Sequence, residues 1–286
     1  MKHQTLPSPM QEFWSHFLKN RLAVAGFAIV VALLIIAISA PFLAPYDPTL
    51  QSLPDKRTKP GGKFLLGADE FGRDILSRLI YGTRAALLVG TISIAIALIF
   101  GMILGTASGF FGGVVDNLIM RILDILLAFP YLLLAIAVVS AIGPGILNTT
   151  IAVGIWAIPG FARIIRASVI TIKKADYIQA AKAIGASDAR IIFNHIIPNF
   201  ISPVIVYSTL YMANAILIEA ALSFLGLGIQ PPTPSWGLMV SSGRDFLLSA
   251  PHIATLPGIA IMTTVLGFNL LGDGLRDSLD PKLRNL

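Results

Sequence analysis

Five stretches of the 286-residue chain carry no charged side chain: 22–44, 85–115, 125–162, 196–218 and 246–272. An apolar helix of about 20 residues crosses a hydrocarbon core of about 30 Å. The 23 residues of 22–44, at about 1.5 Å each, give about 34 Å. The third stretch is too long for one helix, and Gly143-Pro144-Gly145 divides it, because that triplet is a turn signal. The pattern predicts six spans near 22–44, 85–110, 123–142, 146–168, 199–221 and 253–274. Residues 220–243 are also uncharged, but Pro231, Pro232 and Pro234 interrupt them. They read as a loop of re-entrant or interfacial character, whose backbone would have to be satisfied within the protein.

Span two repeats small residues every fourth position: Ser93, Ala97, Gly101, Gly105 and Gly109. Residues four apart share a helix face, so this ridge is expected to admit another backbone closely, as in small-xxx-small packing. A sliding surface during gating is the alternative reading. Just before it, Ile75, Leu76, Leu79 and Ile80 fall at helical spacing with Asp74 and Arg78 off the stripe. They predict an amphipathic helix that rests on the membrane surface or forms part of a docking platform. Pro130 and Pro159 fall inside spans three and four, where each can kink the helix.

Composition narrows the class. The chain is 55% hydrophobic and 13% charged, with a mean hydropathy of +0.80, against about 25% charged residues in an ordinary soluble domain. That excludes a soluble enzyme and a disordered chain. The net charge of +6 is broken up by the apolar runs, so it does not form the solvated basic face of a nucleic-acid binder. It bears instead on orientation. Six spans put both termini on one side with 13 of the 21 Lys and Arg, which makes that side cytoplasmic. Seven of the remaining eight crowd the first outer loop. The first apolar run is too long for a signal-peptide core, and Pro41 follows Ile38-Ser39-Ala40, so span one is expected to stay as an anchor.

Candidate chemistry within the spans is sparse. Asp124 follows Arg121 by three residues and shares its helix face at the cytoplasmic edge of span three. Glu219 lies at the outer end of span five, where water or snorkelling would relieve its cost. No central chain of acids or histidines suggests a proton relay. His3, His16, His195 and His252 make no ligand spacing, and there is no cysteine. There is no G-x-x-x-x-G-K-[ST], no H-E-x-x-H and no G-x-S-x-G, so an energy source is expected on another subunit or in a gradient.

The cytoplasmic loop between spans four and five, 169–198, reads as two short helices. The first starts near Tyr177 and stops at Gly185, a suitable left-handed terminator. Ser187 is a plausible N-cap for the second, and Pro198 marks the entry to span five. Ala180, Ala181 and Ile184 form a small apolar patch that fits a groove on a partner protein or the inner leaflet.

This segment resembles the EAA loop of bacterial ABC-importer permeases. It matches at Ala180, Ala181, Gly185 and Pro198 and departs at the leading Glu, which is Gln179. Further segments extend the likeness: Gly67-Ala68-Asp69-Glu70-Phe71-Gly72-Arg73-Asp74 through Gly82-Thr83-Arg84, then Leu222 to Gly228, Pro231 to Gly237, and Gly272 to Asp277 with Asp280-Pro281. As an ordered set covering almost the whole chain, they resemble the C-type permease subunit of dipeptide/oligopeptide ABC importers. Nickel, glutathione and antimicrobial-peptide systems use similar permeases.

The resemblance implies an all-α integral membrane protein of the type I ABC-importer permease fold. Its parts would be a cytoplasmic segment 1–21, the first transmembrane helix 22–44, an extracytoplasmic loop 45–84, a five-helix core 85–276 with an outer loop 222–252, and a tail 277–286. It implies a second, homologous permease, two P-loop ATPase subunits carrying ATP and Mg, an extracytoplasmic peptide-binding protein and a peptide substrate. The chain itself would hold no cofactor or metal, perform no catalysis and sit in the bacterial inner membrane. ATPase coupling would fall to Tyr177, Gln179, Ala180, Ala181, Gly185, Asp188 and Pro198. Binding-protein docking would fall to Asp69, Arg73, Asp74, Arg78 and Trp236. A secondary transporter and a membrane-embedded enzyme are the competing classes. The first would need central ionisable residues or an inverted repeat with paired broken helices. The second would need an acid/base or metal set within the spans.

Overall fold

A computed structural model describes residues 9–279. Lys2, Lys282, Arg284 and Asp280-Pro281 lie outside the described residues. The helices are α1 (Pro9–Lys19), α2 (Arg21–Ile38), α3 (Ala40–Leu43), α4 (Ile75–Phe111), α5 (Gly113–Ala128), α6 (Tyr131–Ile142), α7 (Ile146–Lys173), α8 (Asp176–Ala183), α9 (Asp188–Ile191), α10 (Ile201–Phe224), α11 (Trp236–Gly243) and α12 (His252–Leu279). Five helical stretches are long and apolar enough to cross a membrane, or six if the bent pair α5–α6 forms one span.

The first span is shorter than its apolar run, because the helix breaks at Ser39 ahead of Pro41. Span two is longer than expected. The amphipathic stripe and the apolar run form one 37-residue helix, α4, about 56 Å long. Ile75 and Ile80 are buried in it, and Ile75 and Leu79 share a core cluster with Trp236, Met239 and Ile253 rather than lying on a membrane surface. Span three is not one helix. α5 and α6 meet at 93°, with Phe129 extended before Pro130, as the clash of the proline ring with the preceding residue demands. Pro159, by contrast, stays inside an unbroken α7.

The small-residue ridge faces α7 of the same chain. A Cβ on Gly101 would lie 2.5 Å from Phe161 Cβ, and one on Gly105 would lie 2.5 Å from the Ala162 carbonyl oxygen. The Ser93 hydroxyl donates to the Thr150 carbonyl at 2.9 Å. The ridge therefore serves packing between α4 and α7. α2 and α12 approach in the same manner, Gly26 against Leu271 and Gly274 against Ala23.

Residues 192–200 wind first as a π turn and then as a 3₁₀ turn. Pro198 lacks the amide that a regular helix would need there, so α9 runs into α10 through an irregular segment. The 220–243 stretch is the end of α10, a turn, and the buried α11, on which Gly237 abuts the Ala220 backbone.

Candidate coupling site and outer platform

The two ends of α4 lie in two different functional candidates. At its N-terminus, residues 45–74 fold into a compact platform. Asp74 is the N-cap of α4, its carboxylate accepting from the Ser77 amide at 2.7 Å and hydroxyl at 2.6 Å. Asp69 accepts from the Phe71 and Arg73 amides, both at 2.9 Å, and from Arg73 Nε at 2.6 Å. Arg73 also reaches Glu70 at 3.1 Å. Arg78 Nε lies 3.3 Å from Asp69 Oδ2, an ion-pair distance without hydrogen-bond geometry, while Arg78 Nη1 donates to the Pro48 carbonyl at 3.1 Å. Trp236 donates its indole N–H to the Leu79 carbonyl at 3.0 Å and lies against Gly82.

Asp69, Arg73, Asp74, Arg78 and Trp236 are thus all buried, each at 6% exposure or less. Their side chains shape the platform from within, and little of any of them lies on its surface. Its exposed apolar rim comprises Tyr46, Leu50, Leu53, Leu65 and Phe71. At the platform edge, hydrogen bonds from Lys63 and then Ser52 hold the Asp55 carboxyl below the ordinary carboxylate range.

The opposite end of α4 meets the 169–198 loop. Lys182, Ile184, Gly185 and Ala186 form the stop of α8: Gly185 has φ +84°, its amide donates to the Lys182 carbonyl, and the Ala186 amide donates to the Ala181 carbonyl, each at 3.0 Å. This is the Schellman arrangement. Ser187 caps α9, its hydroxyl accepting from the Arg190 amide at 3.4 Å, and Asp188 follows in the first turn, where the helix dipole favours an acid.

Tyr177, Gln179, Ala180, Gly185, Asp188 and Pro198 are exposed and Ala181 is half-buried. The apolar patch is real on its Ala180 and Ile184 sides, Ile184 being 86% exposed. What anchors the loop is Ile178, fully buried with Phe110, Val169, Ile191 and Ile196. That anchor was not singled out by the sequence pattern, although its place one residue before Gln179 puts it off the exposed patch. Gln179 Nε2 donates to the Lys173 carbonyl at 2.9 Å, closing the end of α7. A glutamate could not donate there, so the departure from the EAA pattern has a local structural consequence.

Two ion pairs fasten α5 to α7. Arg166 grips Asp116 with two bonds of 2.6 Å, and Arg163 meets Asp124 at 2.5 Å. Asp124 thus pairs across helices rather than with Arg121 on its own. Glu219 is 1% exposed. Its carboxylate accepts from the hydroxyls of Ser223 at 2.7 Å and Ser235 at 2.9 Å, which tie α10 to the start of α11. Among the described residues no three His, Asp or Glu converge on a metal position.

Comparison with known proteins gives two family matches. The model described as "Binding-protein-dependent transport system inner membrane component" matches residues 97–285, and the "N-terminal TM domain of oligopeptide transport permease C" matches residues 8–60. The chain is 48% identical to the di/tripeptide transport system permease protein DppC of Pseudomonas aeruginosa, over 98% of this chain and 94% of that one. It is 46% identical to the dipeptide permease DppC of Haemophilus influenzae, over 97% and 96%. It is 44% identical to the glutathione transport system permease GsiD of Pectobacterium atrosepticum, over 100% and 95%. Among solved structures, an inward-facing MetNI methionine ABC transporter aligns with a TM-score of 0.57 at 15% identity, covering 71% of this chain and 97% of that chain. An amino acid ABC transporter aligns at 0.54 and 16%, covering 74% and 95%.

Proposed function

Because the chain belongs to the binding-protein-dependent transport system inner membrane components, we propose that it is the permease half through which short peptides enter, driven by ATP hydrolysed elsewhere. It is a multi-pass helical membrane protein with the fold of ABC-importer permeases. Two- or three-residue peptides are the cargo class, since relatives named for dipeptide and di/tripeptide transport reach 46–48% identity over nearly the full chain. Glutathione is the second reading, carried by relatives at 43–44%.

In this reading a homologous permease completes the pathway as a heterodimer, and two P-loop ATPases with ATP and Mg bind on the side of the α8–α9 loop. An extracytoplasmic peptide-binding protein settles on the exposed rim of the 45–74 platform. Both termini face the cytoplasm of a bacterial cell, and the chain performs no catalysis itself. The observation that carries the coupling assignment is an α8 whose Tyr177, Gln179 and Ala180 are exposed while Ile178 is fully buried. Such a helix offers a face to a partner and passes its displacement into the core.

The test is purification from native membranes followed by reconstitution in liposomes with whatever accompanies the chain. Two ATPases and a second permease should copurify, and labelled dialanine should accumulate with ATP. Accumulation of glutathione but not dialanine would favour the second reading. A chain that purifies alone yet moves dialanine without ATP would sink both.

A further inference from the structure

The 56 Å reach of α4, taken as about 1.5 Å per residue, brings Phe110 to the coupling loop. Phe110 is 3% exposed and meets three residues from two elements, α7 and α8. Lys173, the last residue of α7, donates its ammonium to the Phe110 carbonyl and lies 5.3 Å from the ring centroid. Lys182 of α8 lies 5.5 Å from the same centroid. Ile178 of α8 shares the buried cluster with the ring. No carboxylate pairs with Lys182 among the described residues, so the aromatic face is the electrostatic partner the fold offers it. A lysine ammonium within about 6 Å of a ring centroid is attracted by the ring quadrupole.

Beyond Phe110 the chain turns at Gly112 (φ +69°) and Gly113 (φ +55°) into α5. A Cβ on either glycine would meet open space, so glycine stands there for its backbone angles and not for packing. Just after the turn, Asp116 is held by Arg166 of α7 and by Ser108 of α4. Displacement of Phe110 would therefore be passed through a glycine corner to α5, the first half of the broken pair.

We propose that Phe110 is the positioning residue of the coupling site: Lys182 reads its ring, Lys173 holds its carbonyl, and motion of α8 reaches the α4–α5 corner through it. This rests on α8 being the element that meets the ATPases.

The experiment uses the complete reconstituted importer and reads dialanine taken up per ATP hydrolysed. Phe110→Leu keeps apolar bulk and removes the ring face. Lys182→Met keeps the stem and removes the charge. Each should lower the ratio about threefold, the size of one exposed cation–π contact. Phe110→Trp and Lys182→Arg should restore it. The double variant should be no worse than Phe110→Leu alone, because that change already removes the Lys182 contact. An unchanged ratio in Lys182→Met, or full additivity in the double variant, overturns the proposal. Lys182 is solvent-exposed, so this arm stands even if Phe110→Leu fails to assemble. Gly185→Val separates the two levels. If it uncouples while Lys182→Met does not, only the role of Phe110 falls. If neither uncouples, the coupling assignment of α8 falls with it.

Discussion

The two ends of α4 carry sequence signals that look alike and structures that do not. Both are short runs of charged, small and glycine residues between apolar spans. At the outer end the charges turn inward: Asp69 is hydrogen-bonded to Arg73 and at ion-pair distance from Arg78, all with side chains at 8% exposure or less. At the inner end Tyr177, Gln179, Ala180 and Asp188 face outward, and the loop is held by the buried Ile178, Ile191 and Ile196 and by an aromatic contact. The outer run is folded in on itself, whereas the inner run leaves an exposed face. A run of polar residues in a connecting loop thus does not reveal which of the two it serves.

The contrast is sharpest if the outer cluster is broken. Asp69→Ala leaves Arg73 and Arg78 buried without their shared carboxylate. Removing one partner of a buried pair costs about 3–5 kcal/mol. The expected result is a large fall in the melting temperature of the detergent-purified importer and proteolytic cutting within 45–74. An Asp69→Ala protein as stable as the parent would show that the cluster does not hold the platform.

At the inner end, Gly185→Val meets no neighbour but must adopt φ near +84°, a left-handed strain of about 1–2 kcal/mol. Its melting temperature should move little, while dialanine uptake per ATP should fall severalfold. Equal losses of stability and coupling would erase the distinction between the two ends.

Trp236→Phe removes the indole bond to the Leu79 carbonyl while keeping most of the ring. The buried carbonyl then loses one donor, worth about 1 kcal/mol. A modest melting shift with unchanged coupling is expected. A loss of coupling without a melting shift would place Trp236 in the transport cycle itself.

The smallest effect is expected for Gln179→Glu. The carboxylate cannot donate to the Lys173 carbonyl, a change of about 0.5 kcal/mol at an exposed bond. It should appear as faster amide hydrogen exchange over residues 174–178. Exchange unchanged there would mean that Gln179 does not hold the corner between α7 and α8.

Much of this was legible before folding. The caps of the 169–198 loop follow from local chemistry, so Gly185 and Ser187 stand where the pattern put them. The ridge on α4 is likewise a matter of spacing on one helix. Local chemistry stops short where one signal has two structural outcomes. A proline can kink a helix or break it, and Pro130 broke α5 from α6 at 93° while Pro159 left α7 whole. Asp124 has an arginine three residues before it, yet the one it meets is 39 residues away.

Span number, helix termini and the face each helix presents follow from residue type and periodicity, which act over one or two turns. Burial of Asp69 and Arg78, the Glu219 link to Ser235 and the meeting of Phe110 with Lys173 and Lys182 depend on which segments the fold brings together. Those partners lie 9, 16, 63 and 72 residues apart in the chain. No helix period or turn rule reaches across such separations, so only tertiary packing decides whether a charge is spent on shape or left free for a partner.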